Sequence, residues 1–440
     1  MPSDRGAQRE MMKRVTSIIL AGGQGTRLHP LTKNRCKPSV SYGGKYRLID
    51  IPISNSLNAN IQQIFIISQY FTSSLNQHIE NTYHYFPQSK IKTLCPEKTW
   101  PEKICFKGTA DAIRQNIESF KRTTAEYFLV LSGDQLYNLD FAEMLNFSIE
   151  QDADLTIASL SVNGKEARRM GLLKIDESSK VLSFAEKPSD PSILKEYLYT
   201  ENVSKVGPGP RELSHSPGPT FETFSVYQDK AHYLGSMGIY IFKRAALFKL
   251  LKEQGDDFGK DLIPIQVQKG KTSAYVYKGY WEDIGTIGAY YEANIALTRQ
   301  ENCLNTYDEH NPIFTQSHHL PNPLIRDTII NQSIIGQGAI IEAKEISNSV
   351  VGIRLKINKG SVIRNSVLLG TMLNDALPNY AVGENCLLDK VILDENCSIG
   401  NNVQLTNRDQ LEKFEGDGIF IRDGIIIVTS GTKVPDNFIL

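Results

Sequence analysis

The sequence predicts two domains of different texture, a mostly parallel α/β domain followed by a parallel β-helix. Up to about residue 300, short β-branched runs alternate with helix-like stretches, the pattern of a sheet covered by helices. Beyond residue 324 apolar residues recur at six-residue spacing: Ile334, Ile340 and Ile346, then Val351, Ile357 and Ile363, then Leu393 and Ile399. Glycines 336, 352, 360, 383 and 400 punctuate that repeat, as the corners of stacked coils require. An antiparallel sandwich would show period two instead. A chain of 440 residues also exceeds what one ordinary core organises.

Residues 1–14, MPSDRGAQREMMKR, are polar and lack an apolar core, so they read as an N-terminal tail and not as a secretory or organellar leader. The α/β domain is expected over 15–305. Its runs VTSIIL, QQIFIIS, EYFLVLS and ADLTIASL read as buried strands, and TADAIRQNIESFKRT carries apolar residues at 112, 113, 117 and 120, a helical stripe. Residues 188–233 interrupt the alternation; GPGPRELSHSPGPT is too rich in proline and glycine for regular structure and reads as an irregular excursion or mobile flap. An ordered linker is expected over 306–323 and the β-helix over 324–440, with 370–380 as a loop leaving one coil.

Basic and acidic residues nearly cancel, 48 against 49, which argues against a nucleic-acid partner. The 40% apolar and 22% charged content fits a soluble globular chain. No run approaches the roughly 18 apolar residues of a membrane span. The six cysteines (36, 95, 105, 303, 386, 397) form no CxxC and read as reduced thiols of a cytoplasmic protein.

The loop LAGGQGTRLHPLTKNRCKP leaves the first predicted strand, on the rim where ligands of such sheets bind. Gly22, Gly23 and Gly25 let backbone amides approach an anion, and Arg27 and Lys37 add positive charge, with Arg35 close by. Thr26 and Arg27 after Gly25 exclude a Walker loop, and Leu28 stands where a dinucleotide fingerprint needs its third glycine. Asp134, ending EYFLVLSGD, reads either as a ligand for a divalent metal with few protein ligands, as magnesium prefers, or as an N-cap. Asp283, in the turn-like GYWEDIGT, is similar. In FAEKP, Glu186 and Lys187 read as contacts to hydroxyls and phosphate or as an exposed turn pair. Ser236, at the start of the apolar run GSMGIYIF, reads as a sugar contact or a strand cap. No HExxH or GxSxG is present.

In this order, LAGGQGTRL, KNRCKPSVSYGGKYRLIDIPISNSLN, KGTADAIRQN, SGDQLY, FAEKP, SMGIY and GYWEDIGT resemble the ADP-glucose pyrophosphorylase (glucose-1-phosphate adenylyltransferase) family from Val15 to Leu440. Several segments are more similar to the plant and cyanobacterial form than to the enteric one. The resemblance implies a Rossmann-like nucleotidyltransferase domain with a left-handed β-helix of hexapeptide repeats. It implies transfer of the adenylyl group of ATP to α-D-glucose 1-phosphate, giving ADP-glucose and pyrophosphate for glycogen or α-glucan synthesis, with Mg2+. Gly22, Gly23, Gly25, Thr26 and Arg27 would then hold the nucleotide phosphates, with Lys37 assisting. Asp134 and Asp283 would hold the metal, Lys187 the phosphate of glucose 1-phosphate, and Phe106, Gly171, Glu186 and Ser236 the sugar. A homotetramer under small-molecule allosteric control is implied too, with Gln69, Arg35 and Arg47 in regulation.

Departures from the family pattern fall on regulation. Asn34, beside Lys33, and Ser430, near Lys433, stand where family members carry activator lysines, and Cys105 and Phe106 replace an enteric Trp-Tyr pair. A UDP- or dTDP-sugar pyrophosphorylase shares GGxGTRL but is not expected to carry GTADA and YWEDIGT together. An acyltransferase would need a histidine base in the β-helix, and none follows His319. A non-catalytic regulatory subunit would be expected to lose some of Arg27, Lys37, Asp134, Lys187 and Asp283, all of which are present.

Overall fold

A computed structural model describes residues 6, 10–86, 88–96, 105–199, 232–371 and 381–440. The predicted GPGPRELSHSPGPT excursion lies outside the described residues, as does nearly all of the loop predicted at 370–380. Of the excursion's described start, Pro191–Glu196 is a short helix and Leu198–Tyr199 a strand, so that part is regular and not the irregular structure expected.

In chain order the elements that matter are β1 (Val15–Leu20), α1 (Asp50–Asn58), β2 (Gln63–Ile67), α2 (Thr72–Tyr83), β3 (Lys90–Leu94), α3 (Thr109–Gln115) and α4 (Ile117–Lys121). They continue with β4 (Tyr127–Ser132), β5 (Gln135–Tyr137), β6 (Leu155–Asn163), β7 (Gly171–Ile175) and β8 (Val181–Glu186). Then come β9 (His232–Lys243), β10 (Thr272–Val276), β11 (Trp281–Asp283) and α5 (Ile287–Arg299). The chain divides into two compact units: Met1–Phe106 with Leu131–Asp140 and Gly279–Leu440, and Lys107–Val130 with Phe141–Lys278.

In the first unit β1, β2 and β3 pair in parallel, Ile18 opposite Phe65 and Phe65 opposite Lys92. Ile18, Ile19, Ile64 and Ile66 are fully buried, which is why these strands read as continuous apolar runs. In the second unit the long β9 pairs antiparallel with β4, β6 and β7, β7 forms a hairpin with β8, and β6 pairs in parallel with β10. The predicted helical stripe is two helices, broken at Asn116, whose side-chain amide donates to Ala112 O at 2.9 Å. Such local bonding competes with the helical ladder.

Beyond Leu324 the chain stacks into parallel sheets whose apolar columns line a lumen. One column runs Ile325, Ile341, Ile357, Val382, Ile399, Val434; another runs Ile330, Ile346, Ile363, Leu388, Leu405. Of the predicted repeat, Ile346, Val351, Ile357, Ile363, Leu393 and Ile399 lie in the lumen, but its first two members are displaced. Ile341 is fully buried in the lumen whereas Ile340 is 39% exposed, and Ile334 packs on a cluster containing Tyr290 and Leu297 of α5. Adjacent Ile-Ile pairs leave the register open to sequence reading, because alternation sends one side chain in and one out. An unpredicted antiparallel hairpin, Ile419–Arg422 with Ile425–Val428, turns at Asp423 and Gly424, both in the left-handed region (φ 54° and 69°). The Asp-Gly pair between apolar runs is its sequence signal. Among the described residues no helix is long and apolar enough to cross a membrane.

The inward and outward positions are separable by experiment. Ile341→Ala should cost about 2–5 kcal/mol of stability, as deletion in a closed core does, and Ile340→Ala about 1 kcal/mol or less. Chemical denaturation of the two variants checks this; equal losses would mean that the register is wrong.

Candidate active site

The loop after β1 starts from a fixed edge. Ala21 N donates to Ile67 O at 2.8 Å and Gly133 N to Leu20 O at 3.0 Å. Gly25 has φ +65°, and a Cβ there would lie 2.8 Å from Lys37 Cβ and 3.0 Å from Thr32 Cγ2. Backbone conformation and close approach both demand glycine at that position. A Cβ on Gly23 would meet open space, so that part of the loop is a free cradle. Thr26–Leu28 form a single 3-10 turn that leaves Arg27 exposed. Gln69 spans from this loop to Phe106: its Nε2 donates to Gly22 O at 3.0 Å and its Oε1 accepts from Phe106 N at 2.7 Å.

Lys37 starts a second 3-10 turn and is buried, its ammonium 2.6 Å from Asp134 Oδ2 and 3.7 Å from Asp283 Oδ1. Antiparallel pairing of β5 with β11 sets Asp283 opposite Gln135, the residue after Asp134. Asp134 lies two residues past the end of β4, and Asp283 closes a strand and not a turn. Burial, then the neighbouring charge of Asp134, raises the Asp283 carboxyl above the ordinary carboxylate range against the pull of Lys37 and Arg27. The structure thus brings Gly22, Gly23, Gly25, Thr26, Arg27, Lys37, Asp134 and Asp283 into one unit, with Gln69 and Phe106.

Gly171, Glu186, Lys187 and Ser236 lie on the second unit. Glu186, the last residue of β8, pairs across the hairpin with Gly171. A Cβ on Gly171 would strike the Phe184 ring at 2.3 Å and Glu186 Oε2 at 2.9 Å, and one on Gly259 would lie 2.8 Å from the same oxygen. The carboxylate is therefore seated between two glycines. Lys187, with φ 46° and a side chain 63% exposed, reaches back to Glu186 Oε1 at 2.9 Å. Ser236 is not a strand cap: it lies within β9, just before a register shift where Gly238 has φ +71° and donates to Ser236 Oγ at 3.3 Å. A bulge of this kind re-aims a side chain.

Asn34 and Ser430, two of the departures from the family pattern, line a cavity of about 490 Å³ in the first unit together with Lys33, Arg35, Arg47, His78, Asp394 and Glu395. Sequence reasoning missed both carboxylates. They engage Arg35: Asp394 Oδ1 accepts from its Nη2, and Glu395 Oε1 lies 2.9 Å from its Nη1. Burial works against the charge on Arg35, yet Asp394 and Glu395 raise its pKa. Burial also raises Asp394, while Glu395 is held below the usual range because Arg35, Arg47 and Ser41 outweigh its burial. Behind this wall Asp50, fully buried, accepts from Tyr83 Oη (2.7 Å), Thr315 Oγ1 (2.6 Å) and Arg47 N (2.9 Å), and shares a 2.6 Å hydrogen bond with His78 Nε2.

Gly25 and Gly23 should respond differently to a methyl group. Gly25→Ala combines left-handed strain of about 1–3 kcal/mol with a clash on Lys37, and should lower the thermal midpoint clearly. Gly23→Ala should change stability by about 0.5 kcal/mol or less. Calorimetry of the folded variants reads the difference, and an unchanged Gly25→Ala midpoint would contradict the loop geometry.

Comparison with known families agrees with this arrangement. Residues 16–300 match the Nucleotidyl transferase family, and residues 318–439 match the GLGC left-handed parallel beta-helix domain. The glycine loop, the Lys37–Asp134–Asp283 group and the stacked coils all fall within those spans, and this chain belongs to the nucleotidyl transferase family, in the two-domain form characteristic of ADP-glucose pyrophosphorylases.

Proposed function

We propose that this protein is a glucose-1-phosphate adenylyltransferase, transferring the adenylyl group of ATP to α-D-glucose 1-phosphate and releasing pyrophosphate. The observation that carries the reading is the Lys37 ammonium set between Asp134 and Asp283 beside a glycine loop. A phosphate oxygen of glucose 1-phosphate attacks the α-phosphorus of ATP, and the bond to the bridging oxygen of the β-phosphate breaks as pyrophosphate departs. No enzyme nucleophile is required, so the residues act by position and charge. The amides of Gly22 and Gly23 and the hydroxyl of Thr26 hold nucleotide phosphates. Arg27, exposed on the loop, and Lys37 meet the charge that develops on the leaving pyrophosphate. On the other unit Lys187 takes the sugar phosphate and Glu186 and Ser236 take sugar hydroxyls, with Gly171 beside Glu186; Phe106, on the first unit, is also assigned to the sugar.

Magnesium fits the donor set at Asp134 and Asp283: two hard carboxylates, one of them raised by burial and then by the other's charge, suit a cation that binds few protein ligands. Bound there, it would supply charge neutralisation between the nucleotide and sugar phosphates. The cavity beside Arg35 is the proposed effector site, with Lys33 and Arg47 as its cations for an anionic small molecule and Gln69 linking the phosphate loop to Phe106. A cytoplasmic homotetramer serving glycogen or α-glucan synthesis, with the β-helices contributing to assembly, completes the reading.

The first test is nucleotide preference. Steady-state assays with glucose 1-phosphate should favour ATP over UTP and dTTP, and a strong preference for UTP would overturn the adenylyl assignment. Asp134→Asn should lower turnover on the order of 100-fold or more while leaving the circular dichroism spectrum unchanged; near-wild-type synthesis by that variant would remove Asp134 from the metal site.

A further inference from the structure

The stretch that carries Lys37 is held at both ends by one side chain of the β-helix. Glu395 Oε1 lies 2.9 Å from Arg35 Nη1, two residues before Lys37, and accepts a hydrogen bond from Ser41 Oγ, four residues after it. Asp394 accepts from the other arm of the same guanidinium, and Arg35 Nε donates to Leu31 O at 3.0 Å. Between the two held ends, Cys36 Sγ and Ser39 Oγ are 3.1 Å apart and Arg47 Nη1 donates to Ser39 O at 2.8 Å. Tyr290, on the helix that follows Asp283, donates to Ser41 O at 2.5 Å.

Arg35, Asp394 and Glu395 are 7%, 3% and 9% exposed. Two carboxylates on one guanidinium, all desolvated, are a costly way to join surfaces that apolar side chains would join at least as well. What the group adds is geometry, since a fork of five donors fixes both partners in angle as well as distance. That geometry is passed directly to Lys37. Its stem already lies against the backbone of Gly25, where a Cβ would stand only 2.8 Å away, so a shifted segment has no slack with which to return the ammonium to Asp134 and Asp283.

We propose that Glu395, with Asp394 as its partner on Arg35, is a positioning residue for Lys37, so that the β-helix takes part in nucleotidyl transfer by fixing where that ammonium stands. The inference rests on the reaction proposed above. A displacement of a catalytic group by about 1 Å costs on the order of 100-fold in rate, which sets the expected scale.

The test uses the full-length protein carrying Glu395→Ala, Glu395→Gln or Ser41→Ala, each with Lys37 intact and in a Lys37→Met background. Initial rates of pyrophosphate release with glucose 1-phosphate and ATP, UTP or dTTP give kcat and KM. Glu395→Ala should lower kcat about 10- to 100-fold with KM values moving less than about threefold, and Glu395→Gln, which keeps hydrogen bonds to Arg35 and Ser41, should recover most of the loss. In the Lys37→Met background Glu395→Ala should cost no more than about twofold, because residues that act through one another are not additive. The same factor lost in both backgrounds would mean that Glu395 merely holds the structure together, and would overturn the proposal; so would a wild-type kcat in Glu395→Ala. Should Glu395→Ala not fold, Ser41→Ala decides by the same comparison of backgrounds. A wild-type protein silent with every nucleotide overturns the reaction and this inference with it, whereas an active wild type with unmoved variants overturns this inference alone.

Discussion

One ammonium shared unequally by two carboxylates fixes stretches of chain far apart in sequence: Lys37 Nζ lies 2.6 Å from Asp134 and 3.7 Å from Asp283. Each partner arrives on a different support. Asp134 follows the buried strand β4, Asp283 ends β11, and Lys37 opens a 3-10 turn pressed against Gly25. Two carboxylates face one buried ammonium, and burial, followed by the charge of Asp134, raises the Asp283 carboxyl against the pull of Lys37 and Arg27. The same imbalance would disfavour a phosphate brought close without a compensating charge, which Arg27, exposed on the loop, can supply.

The β-helix is the frame against which this group is set. The outward side of its third sheet, with Val350, Val367, Ile392 and Ile427, packs on Tyr290, Tyr291 and Leu297 of α5 in a fully apolar cluster. Polar contacts then fix the angle: Tyr291 Oη donates to Asn365 O at 2.6 Å, and Asp423, at the turn of the unpredicted hairpin, accepts from Gly288 N at 2.9 Å. Thr286 accepts from Ala289 N in the same first turn, so orphan amides at the start of α5 are satisfied from two directions. Asp283 lies immediately upstream of that capped end. Apolar burial supplies the adhesion here, and the carboxylates supply the register.

Much of this was legible in the residues. VTSIIL is β1 in full, and the strands at QQIFIIS, EYFLVLS and ADLTIASL form where uninterrupted β-branched runs announce them. The glycines of LAGGQGTRL announced a loop of close backbone approach, and at Gly25 both φ and packing demand glycine. Legibility failed where a choice depends on partners far along the chain. Ile340 and Ile341 are indistinguishable until the neighbouring coil sets which one faces the lumen. Ser236 looked like a strand start because the bulge at Gly238 is created by the pairing of β9 with β6. Asp394 and Glu395 carried no motif at all; their meaning comes from Arg35, which stands 359 residues before Asp394.

That long-range triad also constrains how the cavity beside it could speak to the reaction. Arg35 is already committed to two buried carboxylates, so an anion entering the cavity finds Lys33 and Arg47 as its available attraction. A ligand shifts an equilibrium only by its differential affinity for the two states. Contacts to Lys33 alone would bind without moving Lys37. To move it, the ligand would have to compete with Ser39 for Arg47, with Glu395 for Arg35 or with Ser41 for Glu395, loosening the segment from 35 to 41. Control exerted at this place would therefore act by breaking a contact already made, and its natural direction, with the clamp intact in the unliganded chain, is towards less activity and not more.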